Sequence, residues 1–181
     1  MKEAYKFFLL GCLISVLTLC ESCADQKPQP KLLEKDHLVG EGEVKIPVYN
    51  FEKFQPILSF DDDYVHVINF WATWCKPCVK ELPYFVAVSN EFRNEQIAMH
   101  YVSLDFSDQI NERLIPFLKD YTITDDVLVL DDPKANDWIP KVNNEWSGAI
   151  PATYIYKGEN TWFHEGSLTK EQLKTAVESF F

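Results

Sequence analysis

Apolar positions change period several times along the chain, and each change marks an element. Val65-His66-Val67-Ile68-Asn69-Phe70 is a short run rich in β-branched residues, the composition of a strand covered on both faces. Over residues 79–92, Leu82, Phe85, Val86 and Val88 recur at helical spacing. Pro77 falls where that helix can begin, and Pro83 should kink it. Residues 97–104 predict a second strand, 109–119 a second helix, and 127–130 a short, wholly apolar third strand. Residues 152–157, the turn Gly158-Glu159-Asn160 and residues 161–164 read as a hairpin. Leu173, Ala176, Val177 and Phe180 share one face of a closing helix over 169–181. Upstream, residues 43–49 add an edge strand and 50–58 a short helix. Strands and helices in this order predict an α/β domain: a central mixed sheet flanked by helices. Its expected bounds are 43–181.

Composition narrows the function. The 181 residues are 46% apolar and 14% aromatic, which suits a packed globule and excludes a disordered chain. With 17 Lys+Arg against 28 Asp+Glu the formal net charge is −11, so a nucleic-acid backbone is not an expected partner.

Before the domain lies an N-terminal extension of different character. Lys2 and Lys6 precede residues 7–20, a stretch without charge. That is the length of a secretory apolar core, and short of the roughly 20 residues that span a bilayer. Ser22 then precedes Cys23, and a bacterial lipoprotein signal resembles this pattern. Residues 1–22 are thus expected to be a signal peptide, with Cys23 the lipidated residue. Cys20 follows Leu19 and fits less well; Cys12 follows Leu-Leu-Gly but sits inside the apolar run. Ordinary cleavage without lipid, or an uncleaved anchor, stays open. Residues 23–42, polar and carrying two prolines and two glycines, read as a flexible tether. The membrane is then a partner through a lipid anchor, and the domain faces the periplasm of a bacterial envelope.

The remaining cysteines, Cys75 and Cys78, form a Cys-Lys-Pro-Cys motif between a strand and a helix. This spacing can close a disulfide across the helix's first turn. Unpaired N–H groups and partial positive charge at the helix start stabilise a thiolate at Cys75, and Lys76 adds to that. Cys78, a turn inside, should be buried and placed to attack a mixed disulfide on Cys75. A structural zinc site needs four ligands, and His37, His66, His100 and His164 offer no paired spacing. A Cu(I) metallochaperone using both cysteines, with a histidine such as His164, is the alternative.

Asn69-Phe-Trp-Ala-Thr-Trp-Cys75-Lys-Pro-Cys78 resembles the active-site segment of the thioredoxin superfamily, most closely the TlpA/ResA-like envelope thiol-disulfide oxidoreductases. Pro83 matches the kinking proline of that family's first helix, and Gly148-Ala-Ile-Pro151-Ala-Thr153 stands where it places a cis-proline loop. The resemblance implies a thioredoxin-like fold and dithiol exchange without a dissociable cofactor or metal. It makes Pro151 cis, packed on the cysteine pair, with the Ile150 backbone free to bind a substrate chain. Trp74 would border the site while Trp71 packs inward, and Trp74, Lys76, Pro77, Ile150 and Pro151 are the expected substrate-facing residues. Thioredoxin's buried aspartate is replaced by Asn69, which cannot titrate. Glu81, three residues past Cys78, is where the envelope branch places a glutamate, and i,i+3 spacing puts it on the face of Cys78. It is the expected proton acceptor. A peroxidase is disfavoured, because Ala72-Thr73-Trp74-Cys75 lacks the Thr-x-x-Cys spacing. The expected activity is protein disulfide reduction, with protein thiols and disulfides as substrates and an unidentified upstream electron donor.

Overall fold

A computed structural model describes residues 37–40, 45–121, 123 and 126–181. The expected signal peptide, Cys23 and most of the expected tether fall outside the described residues. Strand β1 (His37–Val39) leads to β2 (Ile46–Tyr49), helix α1 (Phe51–Phe54) and a 3-10 turn (Gln55–Leu58). Strand β3 (Val65–Trp71), helix α2 (Lys76–Glu91) and strand β4 (Ile97–Ser103) follow. Helix α3 (Ile115–Tyr121), strand β5 (Asp126–Leu130) and helix α4 (Ala135–Val142) come next. The hairpin of β6 (Ala152–Lys157) and β7 (Asn160–Glu165) precedes the final helix α5 (Lys170–Glu178).

One sheet runs in the order β1-β2-β5-β4-β3-β6-β7. The pairs β2/β5, β5/β4 and β4/β3 are parallel, while β1/β2, β3/β6 and β6/β7 are antiparallel. The mixed sheet follows from the connections. Helical crossovers return the chain parallel, and the Gly158 turn (φ +56°) reverses it. All seven positions of β3 are buried because both faces are covered. On one face Val65, Val67 and Trp71 pack with Leu82 and Phe85 of α2 and with Leu173 and Val177 of α5. On the other, Ile68 and Phe70 meet Phe51, Phe54, Trp138 and Trp146.

Three expectations need correction. Residues 37–39 were expected in the tether, yet they pair with β2 as the edge strand. The predicted strand over 43–49 is therefore one place in from the edge. Three residues with half-exposed Leu38 show too little pattern to announce a strand. Helix α4 was not predicted, since its N-cap Lys134 makes no side-chain cap and Pro140 lies inside it. Residues 109–119 are not one regular helix: a 3-10 turn and a π turn (Ile110–Leu114) precede α3. Elsewhere local signals held, as with the Thr169/Gln172 capping box that starts α5.

At the end of β3 remote from the cysteines, two histidines meet inside the protein. His66 and His100 stack, with Nδ1 of one 3.0 Å from Nε2 of the other. His66 Nε2 reaches Asp62 at 2.9 Å, and His100 Nδ1 lies 3.8 Å from Asp126. Burial lowers the pKa of both rings, that of His100 to about 3. The unfolded chain therefore takes up protons below about pH 6.5 that the fold refuses. The contribution of the pair is fully present above that pH and is lost as pH falls, for His100 down toward 3, by up to about tenfold in the folding equilibrium per pH unit. His100→Gln should flatten the decline. Urea midpoints measured from neutral pH to mildly acid pH test this, and equal slopes in both proteins would contradict it.

Candidate active site

The end of β3 feeds a tight turn in which Cys75 N–H donates to Ala72 O at 3.1 Å. Cys75 then becomes the N-cap of α2, with extended backbone angles, and Cys78 N–H points at its sulfur at 3.3 Å. Pro77 sits in the first turn, where its missing N–H loses no helical bond. Cys75 and Cys78 are joined as a disulfide. Cys75 is 6% exposed and Cys78 fully buried, so only the first of the two residues reaches solvent. Trp74 is 49% exposed beside it, Lys76 and Pro77 are exposed, and Trp71 is buried.

The turn is fastened by a residue that sequence reasoning missed. Asp105, buried just past the end of β4, accepts Thr73 N–H at 3.0 Å and the Thr73 hydroxyl at 2.5 Å. It also accepts the Ser103 hydroxyl at 2.7 Å, while Leu104 N–H donates to Trp71 O at 2.8 Å. A lone aspartate after a strand carries no pattern, so nothing in the sequence singled it out.

The second wall is the loop before β6. The Ile150–Pro151 peptide is cis, and Ile150 O lies 3.6 Å from Cys75 Sγ. Pro151 is buried and Ile150 half-buried. Trp146 is buried and donates its indole N–H to Ala149 O at 2.8 Å. Glu165 accepts both the N–H and the hydroxyl of Ser147 at 2.7 Å. Gly148 has φ +93°, a backbone conformation that side-chain-bearing residues rarely adopt and that favours glycine.

Under Cys78 lies Glu81, 2% exposed. Leu168 N–H donates to its Oε2 at 2.9 Å, and Asn69 Nδ2 to its Oε1 at 3.3 Å. Burial raises its pKa to about 7, against the pull of those two donors. Its one-turn spacing from Cys78 was visible in the sequence; its partner Leu168, far along the chain, was not. Among the described residues no cluster of three or more His, Cys, Asp or Glu side chains could hold a metal ion, and none forms a helix able to cross a membrane.

Residues 57–161 match the family described as AhpC/TSA. The chain belongs to that family. The thiol-disulfide oxidoreductase ResA of Oceanobacillus iheyensis is 31% identical over 111 residues, 60% of this chain and 53% of that protein. The thioredoxin-like protein YneN of Bacillus subtilis is 28% identical over 115 residues, 62% of each chain. The matches thus span about half to three-fifths of those relatives. The fold is thioredoxin-like. A thioredoxin-related protein from Neisseria meningitidis superposes with a TM-score of 0.56 at 23% identity, over 66% of this chain and 86% of that one. A thiol:disulfide interchange protein from Chlorobium tepidum gives 0.53 at 20%, over 65% and 79%.

Asp105→Asn should cost about 2–4 kcal/mol, because an amide nitrogen cannot accept and buried donors are left unpaired. Chemical denaturation checks it, and a cost below about 1 kcal/mol would contradict the fastening role.

Proposed function

We propose that this chain is a thiol-disulfide oxidoreductase that reduces disulfides of envelope proteins through Cys75 and Cys78. The observation that carries this is the asymmetry of the pair. One sulfur lies at a helix N-terminus 3.6 Å from the Ile150 carbonyl, and the other is buried three residues from a carboxyl group near neutrality on the same helix. The names of the relatives support the same chemistry.

In the reduced protein, N–H groups at the start of α2 favour the thiolate of Cys75. It attacks a substrate disulfide; one substrate sulfur leaves with the electron pair and takes a proton from water. The substrate chain lies along Ile150 and Pro151, with Trp74, Lys76 and Pro77 at the rim. Cys78 then gives its proton to the Glu81 carboxylate and attacks Cys75 Sγ. The second substrate sulfur leaves and is protonated, two electrons have passed to the substrate, and Cys75–Cys78 is a disulfide. An upstream dithiol donor restores the pair, and no dissociable cofactor is needed. The anchor belongs to the same proposal: cleavage after Ser22 leaves lipidated Cys23, and residues after it hold the domain off the membrane on its periplasmic side.

The order of the sulfurs is testable with a disulfide-bonded peptide and mass spectrometry. Cys78→Ser should accumulate a mixed disulfide that dissolves in reductant, whereas Cys75→Ser should form none. More adduct from Cys75→Ser reverses the assignment. No adduct from either, with Cu(I) retained against a chelator, makes the protein a copper carrier instead. For the anchor, Cys23→Ser should release the protein from membranes and abolish fatty-acid labelling. Labelling lost only in Cys20→Ser would move the lipid to Cys20.

A further inference from the structure

The polar floor beneath the dithiol extends beyond Glu81. β6 runs antiparallel to β3 with Thr153 directly opposite Asn69. Residues so opposed put their side chains on one face, with Cβ atoms about 5 Å apart. The face of Asn69 is known from its bond to Glu81, and Ile155, two residues past Thr153, packs in the core that contains Cys78 and Leu82. Thr153 therefore lies beside Asn69 under α2. Both residues are fully buried, yet Asn69 Oδ1 and Thr153 Oγ1 have no hydrogen-bond partner. Unpaired buried polar atoms cost stability, and valine would fill the same volume on a strand without that cost. A hydroxyl kept there needs a reason.

The chemistry of the three groups supplies one. A carboxylate only accepts, whereas a carboxylic acid also donates; an amide donates at one end and accepts at the other; a hydroxyl does both. Facing charged Glu81, Asn69 presents Nδ2–H, as here, and its Oδ1, unpaired in this structure, is left to accept from the Thr153 hydroxyl once that side chain turns toward it. Facing protonated Glu81, the amide must turn over so that Oδ1 accepts the acid proton, and a Thr153 hydroxyl seated on Oδ1 opposes that turn. We propose that Thr153 is a positioning residue for the Glu81 proton: a turn of its side chain seats the hydroxyl on Asn69 Oδ1, completing a Thr153–Asn69–Glu81 chain that holds Nδ2–H on the carboxylate and favours its charged form. Thr153 touches no reacting atom. It keeps the Asn69 amide facing the Glu81 carboxylate that takes the proton of Cys78. The inference rests on the reading of Glu81 as that acceptor.

The surroundings of this chain are few. Facing Glu81 are the Leu168 N–H ahead of α5, Asn69 of β3 and Cys78 of its own helix. Tyr101 of β4 flanks Asn69 in register on the side away from Thr153, and half-buried His164 of β7 lies opposite Thr153.

The test uses the full chain, reduced, and mixed with dithionitrobenzoate, which releases one coloured thiolate on attack and a second on resolution. The rate of the second release is followed against pH. In the wild type it should inflect near pH 7, where Glu81 titrates. Thr153→Val should melt at least as high as the wild type while its inflection moves upward. Its rate at neutral pH should fall about two- to fivefold, the carboxylate fraction lost for a rise of half to one unit from about 7. Thr153→Ser should restore both, and His164→Asn should leave the profile in place. Thr153→Ala serves if the valine variant fails to fold, with the same expected rise. A wild-type profile in the hydroxyl-free variants overturns the relay, as does an inflection that moves with His164. If Glu81→Gln itself keeps the inflection, the acceptor reading falls and the relay with it, an outcome distinct from an inert Thr153.

Discussion

A carboxyl group held out of water, one helical turn below a sulfur, is the constraint around which this protein is arranged. Charge in a buried site is costly, so Glu81 sits close to balance between its charged and neutral forms, at about 7. Two donors alone oppose that cost, and they come from distant parts of the chain: Leu168 before α5 and Asn69 on β3. The closing helix and the central strand therefore meet α2 at one side chain. Stronger donors would fix Glu81 as a carboxylate, and none would leave it an acid. Either way it could not take a proton and return it near neutrality.

The rim around Cys75 is built on the opposite principle. There Thr73, Asp105, Trp146 and Ser147 are hydrogen-bonded, and the result is rigidity. Asp105 ties the turn before Cys75 to the end of β4, while Trp146, Glu165 and Gly148 hold the loop that ends at Pro151. Both walls consequently stand at fixed positions against the N-terminus of α2, and an extended chain can lie beside Cys75 without reorganising the loops. Exposed Trp74 and Phe106, each next to a residue of the Asp105–Thr73 contact, give this edge its apolar surface.

The sequence made the reactive pair, its strand–turn–helix setting and most of the sheet readable, because those depend on local spacing. The run 65–70, the helical face of Leu82 and Phe85 and the Gly158 hairpin all express period and turn chemistry. What stayed hidden depends on contacts between distant residues. Asp105 acts through Thr73, 32 positions away, and Glu81 is partnered by Leu168, 87 positions away. Helix α4 lacks a cap and contains a proline, so its stability comes from Trp138 and Val142 packing into the core. The His66–His100 pair is likewise made by parallel strands in register, which no spacing along the chain announces.

The central claim is that Glu81 changes charge inside the folded protein near neutral pH. NMR titration of its isotope-labelled side-chain carboxyl carbon, in the oxidised protein, observes that group alone. The account predicts a midpoint near 7, with Glu81→Gln removing the resonance and so assigning it. A midpoint near 4.5, the ordinary value for a solvated glutamate, would contradict it.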